Sequence, residues 1–202
     1  MRTRLTAIAA GLAACTIATA ASAQNAADTV QRDVNQQNRI EQGLKSGQLN
    51  TKEAGKLERE ESHIDKMESN ALKDGKMTDA EKQRIERAQN KASKDIYSEK
   101  HDAQTGNPNS ASSQRMQADV QRNANQQQRI ANGVNSGQLS NREAAHLEAG
   151  QKREARNEAN AAANGHVGAG KQAHIQARED RQSQRIYNNK HNEKTRPAAA
   201  GG

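Results

Sequence analysis

Residues 46 to 58 read SGQLNTKEAGKLE, and residues 136 to 148 read SGQLSNREAAHLE. Each stretch holds a glycine, Gly47 or Gly137, that suits the left-handed conformation in which many helices end. Each then has a polar residue followed three positions later by glutamate, which is the spacing of a capping box that starts a new helix. The two capping pairs are Asn50 with Glu53 and Ser140 with Glu143. The sequence therefore predicts a helix, a tight turn and a second helix, and it predicts this unit twice.

The similarity extends over most of the chain, because a shift of ninety residues superimposes the sequence on itself without a gap. Apolar residues recur at helical spacing, and strong helix formers lie between them. This pattern predicts an all-α protein with two tandem three-helix modules. The predicted division is a signal peptide at 1–23, a first module at 24–101, a linker rich in Gly, Asn and Ser at 102–117, a second module at 118–191 and a disordered tail at 192–202.

The second module lacks part of the apolar seam of the first. Its residues at the positions of Ile64, Met67 and Leu72 are, in the same order, Glu154, Asn157 and Ala162. Loss of a large buried side chain removes packing energy. We therefore expect the second module to be looser.

The N-terminus predicts export. Arg2 and Arg4 precede an apolar run, and Ala21-Ser22-Ala23 has the small-residue pattern of a signal-peptide cleavage site. The mature protein is then periplasmic or secreted, and no later run is apolar and long enough to span a membrane. An alternative is a lipoprotein anchored through Cys15, since Leu12-Ala13-Ala14-Cys15 resembles a lipobox. Cys15 is the only cysteine, so cleavage after Ala23 leaves no thiol or disulfide.

The composition argues against an enzyme. Phe and Trp are absent, and Tyr occurs only at Tyr97 and Tyr187. A chain with so few large apolar residues has no large globular core, although helices can still pack along narrow apolar seams. No nucleophile with a nearby base and no pair of carboxylates in an apolar setting stands out. We expect a protein that is not an enzyme and that has no cofactor.

The charge is unevenly distributed along the chain. Residues 104–202 contain 14 Lys and Arg against 8 Asp and Glu, a balance of +6, whereas residues 24–103 contain 15 against 16, a balance of −1. A basic region can attract nucleic acid or anionic polymers of the cell envelope. Because the arginines alternate with glutamates and aromatic residues are scarce, the sequence favours solvated helix faces and no nucleic-acid partner.

One turn resembles half of a calcium loop. Residues 74–81 read DGKMTDAE, and an EF-hand alignment on Gly75 places Asp74, Thr78 and Glu81 at ligand positions. Leu72 then occupies a position that needs an oxygen ligand. The structural alternative is that Gly75 ends one helix while Thr78 and Glu81 form a capping box.

Both modules end in Ile-Tyr-x-x-Lys-His. His101 and His191, with Asp102, are candidate ligands for zinc or copper, although two histidines in separate modules fall short of the usual ligand number. In the alternative interpretation, Tyr97 and Tyr187 close the end of the apolar seam, and the histidines sit favourably near helix C-termini.

Three patterns, SGQL-x-x-x-EA-x-x-LE, DGKMT-x-x-E and NKASKDIYSEKHD, together resemble a family of small exported proteobacterial proteins with one or two such modules. The resemblance covers nearly the whole mature chain. It implies a helical fold and export, and it implies no activity.

We therefore expect a non-enzymatic protein that acts as a protein-binding or structural component of the cell envelope. Its partner is another envelope protein or a second copy of itself, because a helix of a partner can complete an incomplete apolar seam. The alternative is a weak binder of divalent or trivalent cations through the calcium-like turn or the terminal histidines.

Overall fold

The structure is a computed structural model that describes residues 14 to 192, with only the backbone for residues 14 to 22. Most of the predicted signal peptide, the side chain of Cys15 and nearly all of the predicted tail thus lie outside the described residues. The described part is all-helical, which confirms the predicted fold class. Its six helices are α1 (Ala14–Ser46), α2 (Thr51–Ala71), α3 (Asp79–Lys100), α4 (Ala111–Asn135), α5 (Asn141–Ala162) and α6 (Ala169–Lys190).

The turns between the helices have left-handed glycines at the positions that the repeat suggests. The φ angles are +76° at Gly47, +92° at Gly75 and +75° at Gly137, a conformation that costs glycine little and other residues more. Each of these turns is followed by a reciprocal capping box, in which a side chain and a glutamate bond each other's backbone N–H groups. The pairs are Asn50 with Glu53, Thr78 with Glu81 and Ser140 with Glu143.

The two copies of the repeat pack directly against each other. Helix α1 lies antiparallel to α4, where the side-chain amide of Gln128 donates to Gln31 at 3.0 Å. Helix α2 lies antiparallel to α5, where the Ser62 hydroxyl donates to the backbone carbonyl of Lys152 at 3.0 Å. The arrangement differs from two modules that each close their own seam, because each copy completes the seam of the other.

Helices α3 and α6 flank this four-helix centre in equivalent positions. The side-chain amide of Gln36 on α1 donates to the backbone carbonyl of Gln89 on α3 at 2.6 Å. Its counterpart Gln126 on α4 donates to the carbonyl of Glu179 on α6 at 2.9 Å. The two copies are thus related by an approximate twofold axis that passes between the antiparallel pairs.

The connection between the copies is shorter than predicted. Helix α4 begins at Ala111 with Ser110 as its N-cap, so the last part of the predicted linker at 102–117 is helical. The backbone N–H of Gly106 donates to the carbonyl of Gly47 at 2.8 Å. The remaining linker is therefore held against the first turn.

The apolar core consists of two clusters, and both copies contribute to each. One includes Val30, Ile64 and Ile85 from the first copy together with Ile130 and Leu147 from the second. The other joins the opposite ends of α1 and α4. Both clusters depend on the antiparallel contact, which also explains how a chain with so few large apolar residues makes a core.

A close approach of helix backbones sustains the contact between α2 and α5. A Cβ atom at Gly55 would lie 2.7 Å from the Cβ of Ala162, a distance that forces the helices to move apart. Ala162 is the residue that replaces the larger Leu72 in the second copy. The replacement makes room for this contact, and the looser second module stays a prediction about stability.

We expect Gly55→Ala to lower the free energy of unfolding by about 1–3 kcal/mol, because the added methyl group overpacks the α2–α5 contact. Urea denaturation measures the change. Gly170→Ala is the control, since a Cβ there meets no atom within 4 Å. Equal stability of the two variants would contradict the close contact.

Candidate functional site: carboxyl groups in the helical core

The interior of the described part contains twelve buried acidic side chains and no buried lysine, arginine or histidine. Glu41 pairs with Lys45, and Glu53 belongs to a capping box. The other ten are Asp33, Glu58, Glu61, Asp65, Glu68, Asp119, Glu148, Glu154, Glu158 and Glu179. Two of these have an arginine partner, since Glu154 pairs with Arg178 at 3.4 Å and Glu179 with Arg122 at 3.2 Å.

Three of these side chains converge on one point, and we call them the acidic triad. Asp33 projects from α1, whereas Asp65 and Glu68 are three residues apart on α2 and so share a helix face. One carboxylate oxygen from each of the three lies within 4.8 Å of the other two. All three side chains are at most 3 % exposed.

Amide groups from the neighbouring helices hold the triad in place. The side-chain Nε2 of Gln89 on α3 donates to Asp33 Oδ1 at 2.7 Å. The Nε2 of Gln127 on α4 donates to Asp65 Oδ1 at 2.9 Å and to Glu148 Oε2 at 3.2 Å. Five helices thus contribute to the site, with Glu148 of α5 as a fourth nearby carboxyl group.

Several oxygen atoms around the triad have no hydrogen-bond donor. They include Asp33 Oδ2, Glu68 Oε2 and Glu148 Oε1, together with the amide oxygens of Gln89 and Gln127. Because an unsatisfied buried oxygen is costly, this set of acceptors favours a positively charged ligand or added protons.

Burial is the largest cause of the unusual proton affinity of the triad. It raises the pKa of Asp33 to about 7, while hydrogen bonds with Glu68 and Gln89 limit the rise. It raises the pKa values of Asp65 and Glu68 well above the usual range, and neighbouring carboxylates raise them further. The group therefore carries protons near neutral pH unless a cation takes their place.

The second copy has buried acids but no equivalent triad. Asn123 and Ala155 occupy the positions that correspond to Asp33 and Asp65. The side-chain amide of Asn123 donates to both carboxylate oxygens of Glu158, at 3.0 and 2.8 Å. Burial nevertheless raises the pKa of Glu158 well above its usual range, and it raises the pKa values of Asp119 to about 7 and of Glu179 to about 8. The second copy thus shares the raised proton affinity of the first but lacks its convergence of three carboxylates among the described residues.

Within residues 14 to 192, two groups of three acidic or metal-ligating side chains bring one ligand atom from each residue within 4.8 Å of the others. Neither group contains Asp74 or Glu81. The carboxylate of Glu81 instead accepts from the backbone N–H of Thr78 at 3.0 Å and from its hydroxyl at 2.6 Å. Asp74 accepts from the backbone N–H of Lys76 at 2.9 Å. The calcium-like turn uses its oxygens to shape the turn.

The terminal histidines do not meet, and each has a local partner. His101 Nδ1 donates to the carbonyl of Tyr97 at 2.7 Å, and the two rings stack with centroids 4.1 Å apart. His191 and Tyr187 make the same contacts at 2.8 and 4.1 Å. The expectation that the tyrosines close the seam is wrong, because they are 62 % and 51 % exposed.

Asp102 lies in the second group of three carboxylates, with Glu53 and Glu99. Each of the three has a partner of its own. Glu53 accepts from the Asn50 backbone at 2.9 Å, Glu99 pairs with Lys56 at 3.5 Å, and Asp102 accepts from the Gln104 backbone at 2.8 Å. Glu53 Oε1 has no donor, but Glu99 and Asp102 are at least partly exposed, so water reaches this group and it differs from the fully buried triad.

Sequence reasoning missed the acidic triad although a signal was present. Glu58, Glu61, Asp65 and Glu68 recur at spacings of three and four residues, which places them on one helix face. The apolar residues of α2 have the same periodicity, so two adjacent stripes face inward. Because charged residues are almost never fully buried without a partner, the spacing alone does not distinguish a buried acidic stripe from a solvated one.

Comparisons with protein-family models, with curated proteins and with solved structures found no match to this chain. The interpretation of the site rests on its geometry.

We expect the metal-free protein to become less stable as the pH rises from 5 to 8. A carboxyl group with a raised pKa in the folded state stabilises the fold fully below its unfolded value of about 4. That contribution is lost as the pH rises through the folded value of about 7 for Asp33. The loss is at most about 4 kcal/mol for this group, since each pKa unit corresponds to about 1.4 kcal/mol.

Thermal unfolding in the presence of a chelator measures this dependence. Asp33→Asn should flatten it, because the amide has no proton to lose. A melting temperature that stays constant or rises between pH 5 and 8 would contradict the protonated core.

We expect Glu81→Ala to lower the free energy of unfolding by about 0.5–1 kcal/mol through loss of the capping box, because alanine has no oxygen to accept from the Thr78 backbone N–H. Urea denaturation measures the change. Glu86→Ala is the control because it makes the same replacement in the same helix and leaves the cap intact. Calcium binding that Glu81→Ala abolishes would restore the calcium-loop interpretation.

Proposed function

We propose that this chain is an exported, non-catalytic binding protein whose acidic triad holds a multivalent cation with a preference for oxygen ligands. The observation that carries the proposal is the convergence of Asp33, Asp65 and Glu68, with oxygens within 4.8 Å, in a core that has no buried basic side chain among the described residues. Export follows from the predicted signal peptide.

The chemistry of the triad favours a hard cation. Calcium binds oxygen ligands at about 2.3–2.6 Å, so two ligand oxygens of one ion are at most about 5 Å apart. The triad meets this limit, and Glu148, whose carboxylate adds to the effect of burial in raising the pKa values of Asp65 and Glu68, is a further carboxyl group nearby. No histidine is buried in the described part, and the single cysteine, Cys15, belongs to the predicted signal peptide. This disfavours zinc and copper, which prefer nitrogen and sulfur.

The number of carboxylates further favours trivalent over divalent ions. Three carboxylates of the triad and that of Glu148 exceed the charge of a calcium ion when all are ionised, whereas a lanthanide ion neutralises more of this charge. Because each bound proton competes with the cation, uptake releases protons. The proposed cation thus binds at the acidic triad in the core, and not at the calcium-like turn or the terminal histidines.

We expect calorimetric titration at pH 7.5 to show one site that binds terbium and calcium, with terbium the tighter ligand and with zinc and copper weaker. Asp33→Asn should weaken binding by about 10- to 100-fold, the range seen when the surroundings of a metal are altered. The amide also reproduces the residue that the second copy has at Asn123.

Asp119→Asn is the matched control, because it removes a buried carboxyl group that lies outside the triad. It should leave the affinity within about twofold, since additivity holds for sites without shared partners. Absence of binding by all four ions in the wild-type protein, with the fold intact by circular dichroism, would refute the proposed function.

Association with another envelope protein or with a second copy is the other proposal that the sequence supports. Its original reason was an incomplete apolar seam, and the antiparallel contact between the copies fills that seam within the chain. The large apolar side chains exposed in the described part are Tyr97 and Tyr187. A protein partner would therefore need to recognise charge more than apolar surface.

A further inference from the structure

Helices α2 and α5 bury most of their acidic residues and expose most of their basic ones. Five acidic residues of α2 are buried, whereas its exposed charged or titratable residues are all basic. Helix α5 follows the same rule with three buried glutamates. The basic face, as we name this outer surface, contains Lys52, Lys56, Arg59, His63 and Lys66 from α2, and Arg142, His146, Lys152, Arg153 and Arg156 from α5.

Few carboxylates compensate this surface. Glu60 and Glu143 are half-buried at its margins, and Glu60 pairs with Lys91 of α3 at 3.1 Å. Lys56 pairs with Glu99 at 3.5 Å. Among residues 14 to 192, no carboxylate forms an ion pair with Arg59, Lys66, Lys152 or Arg156 at the centre of the face.

We propose that the basic face docks electrostatically on an anionic phospholipid surface of the cell envelope. The phosphate groups of the lipid are the ligands. The proposal does not depend on the cation site, because the face is basic whether the core carboxyl groups hold protons or a cation.

The shape and composition of the face favour a membrane surface over a protein partner. Two antiparallel helices of about 20 residues make a surface roughly 30 Å long, with the second helix about 10 Å away. Basic residues are distributed over the whole of it. Neither exposed tyrosine lies on α2 or α5, so the face lacks the aromatic anchors that are frequent at the centres of protein interfaces.

A cleft at the middle of the face offers a place for an individual headgroup. It has a volume of about 460 Å³ and is lined by Arg59, Lys66, Lys152 and Arg156. Four cationic side chains around one opening suit a phosphate group, since arginine bonds phosphate oxygens in pairs. Attraction to an anionic leaflet rises with each basic residue and falls with salt.

Cosedimentation of the mature chain with lipid vesicles tests the proposal. We expect binding to vesicles of phosphatidylcholine mixed with phosphatidylglycerol, no binding to phosphatidylcholine alone, and release at high salt. The triple variant Arg59→Gln/Lys66→Gln/Arg156→Gln should bind roughly 100-fold more weakly, since each basic residue at such a surface contributes about fivefold. All three side chains are exposed, and circular dichroism verifies the fold.

The control is Lys94→Gln/Arg181→Gln/Arg185→Gln, which removes the same charge from exposed positions on α3 and α6. It should retain binding within about twofold if the face, and not the net charge, is responsible. Equal losses in the two triple variants would overturn the assignment to this face. Binding to soluble polyphosphate without binding to anionic vesicles would overturn the membrane as the partner.

Discussion

The antiparallel contact between the two copies, α1 on α4 and α2 on α5, is the constraint on which the rest of the structure depends. A single copy has too few large apolar side chains to enclose a core of its own. When the copies face each other, each narrow apolar stripe meets its counterpart, and two clusters form that neither copy makes alone. Small residues such as Gly55 and Ala162 allow the close approach.

The same contact determines where the charges go. Helix α2 carries acidic and basic residues in alternation, and its packing turns the acidic stripe inward and the basic stripe outward. Buried carboxylates without basic partners are unstable as free anions, so protons or a cation must neutralise them. The exposed basic residues, separated from their natural counter-ions, give the outer surface a positive field. The proposed cation site and the proposed membrane-docking face are thus two results of one packing arrangement.

Divergence between the copies gives the core its asymmetry. The replacement of Asp33 by Asn123 in the second copy exchanges an acceptor for a donor, and the amide satisfies Glu158 directly. The first copy keeps the carboxylate at this position, and its three acidic side chains converge. Burial also raises the pKa values of the buried acids of the second copy, but among the described residues they do not converge in the same way. The copies therefore differ in the arrangement of their buried acids and not in the presence of buried charge.

The sequence by itself determined the local structure: six helices, their glycine turns and the capping boxes, because these depend on φ preferences and on hydrogen bonds within a few residues. It also revealed the duplication, which is a property of the order of residues. Only the tertiary structure decided that the copies interlock, since each apolar stripe is compatible with many partners. Likewise, the spacing of Glu58, Glu61, Asp65 and Glu68 indicates a shared helix face. Whether that face meets water or another helix depends on contacts between residues far apart in the chain, and those contacts brought the acidic triad together.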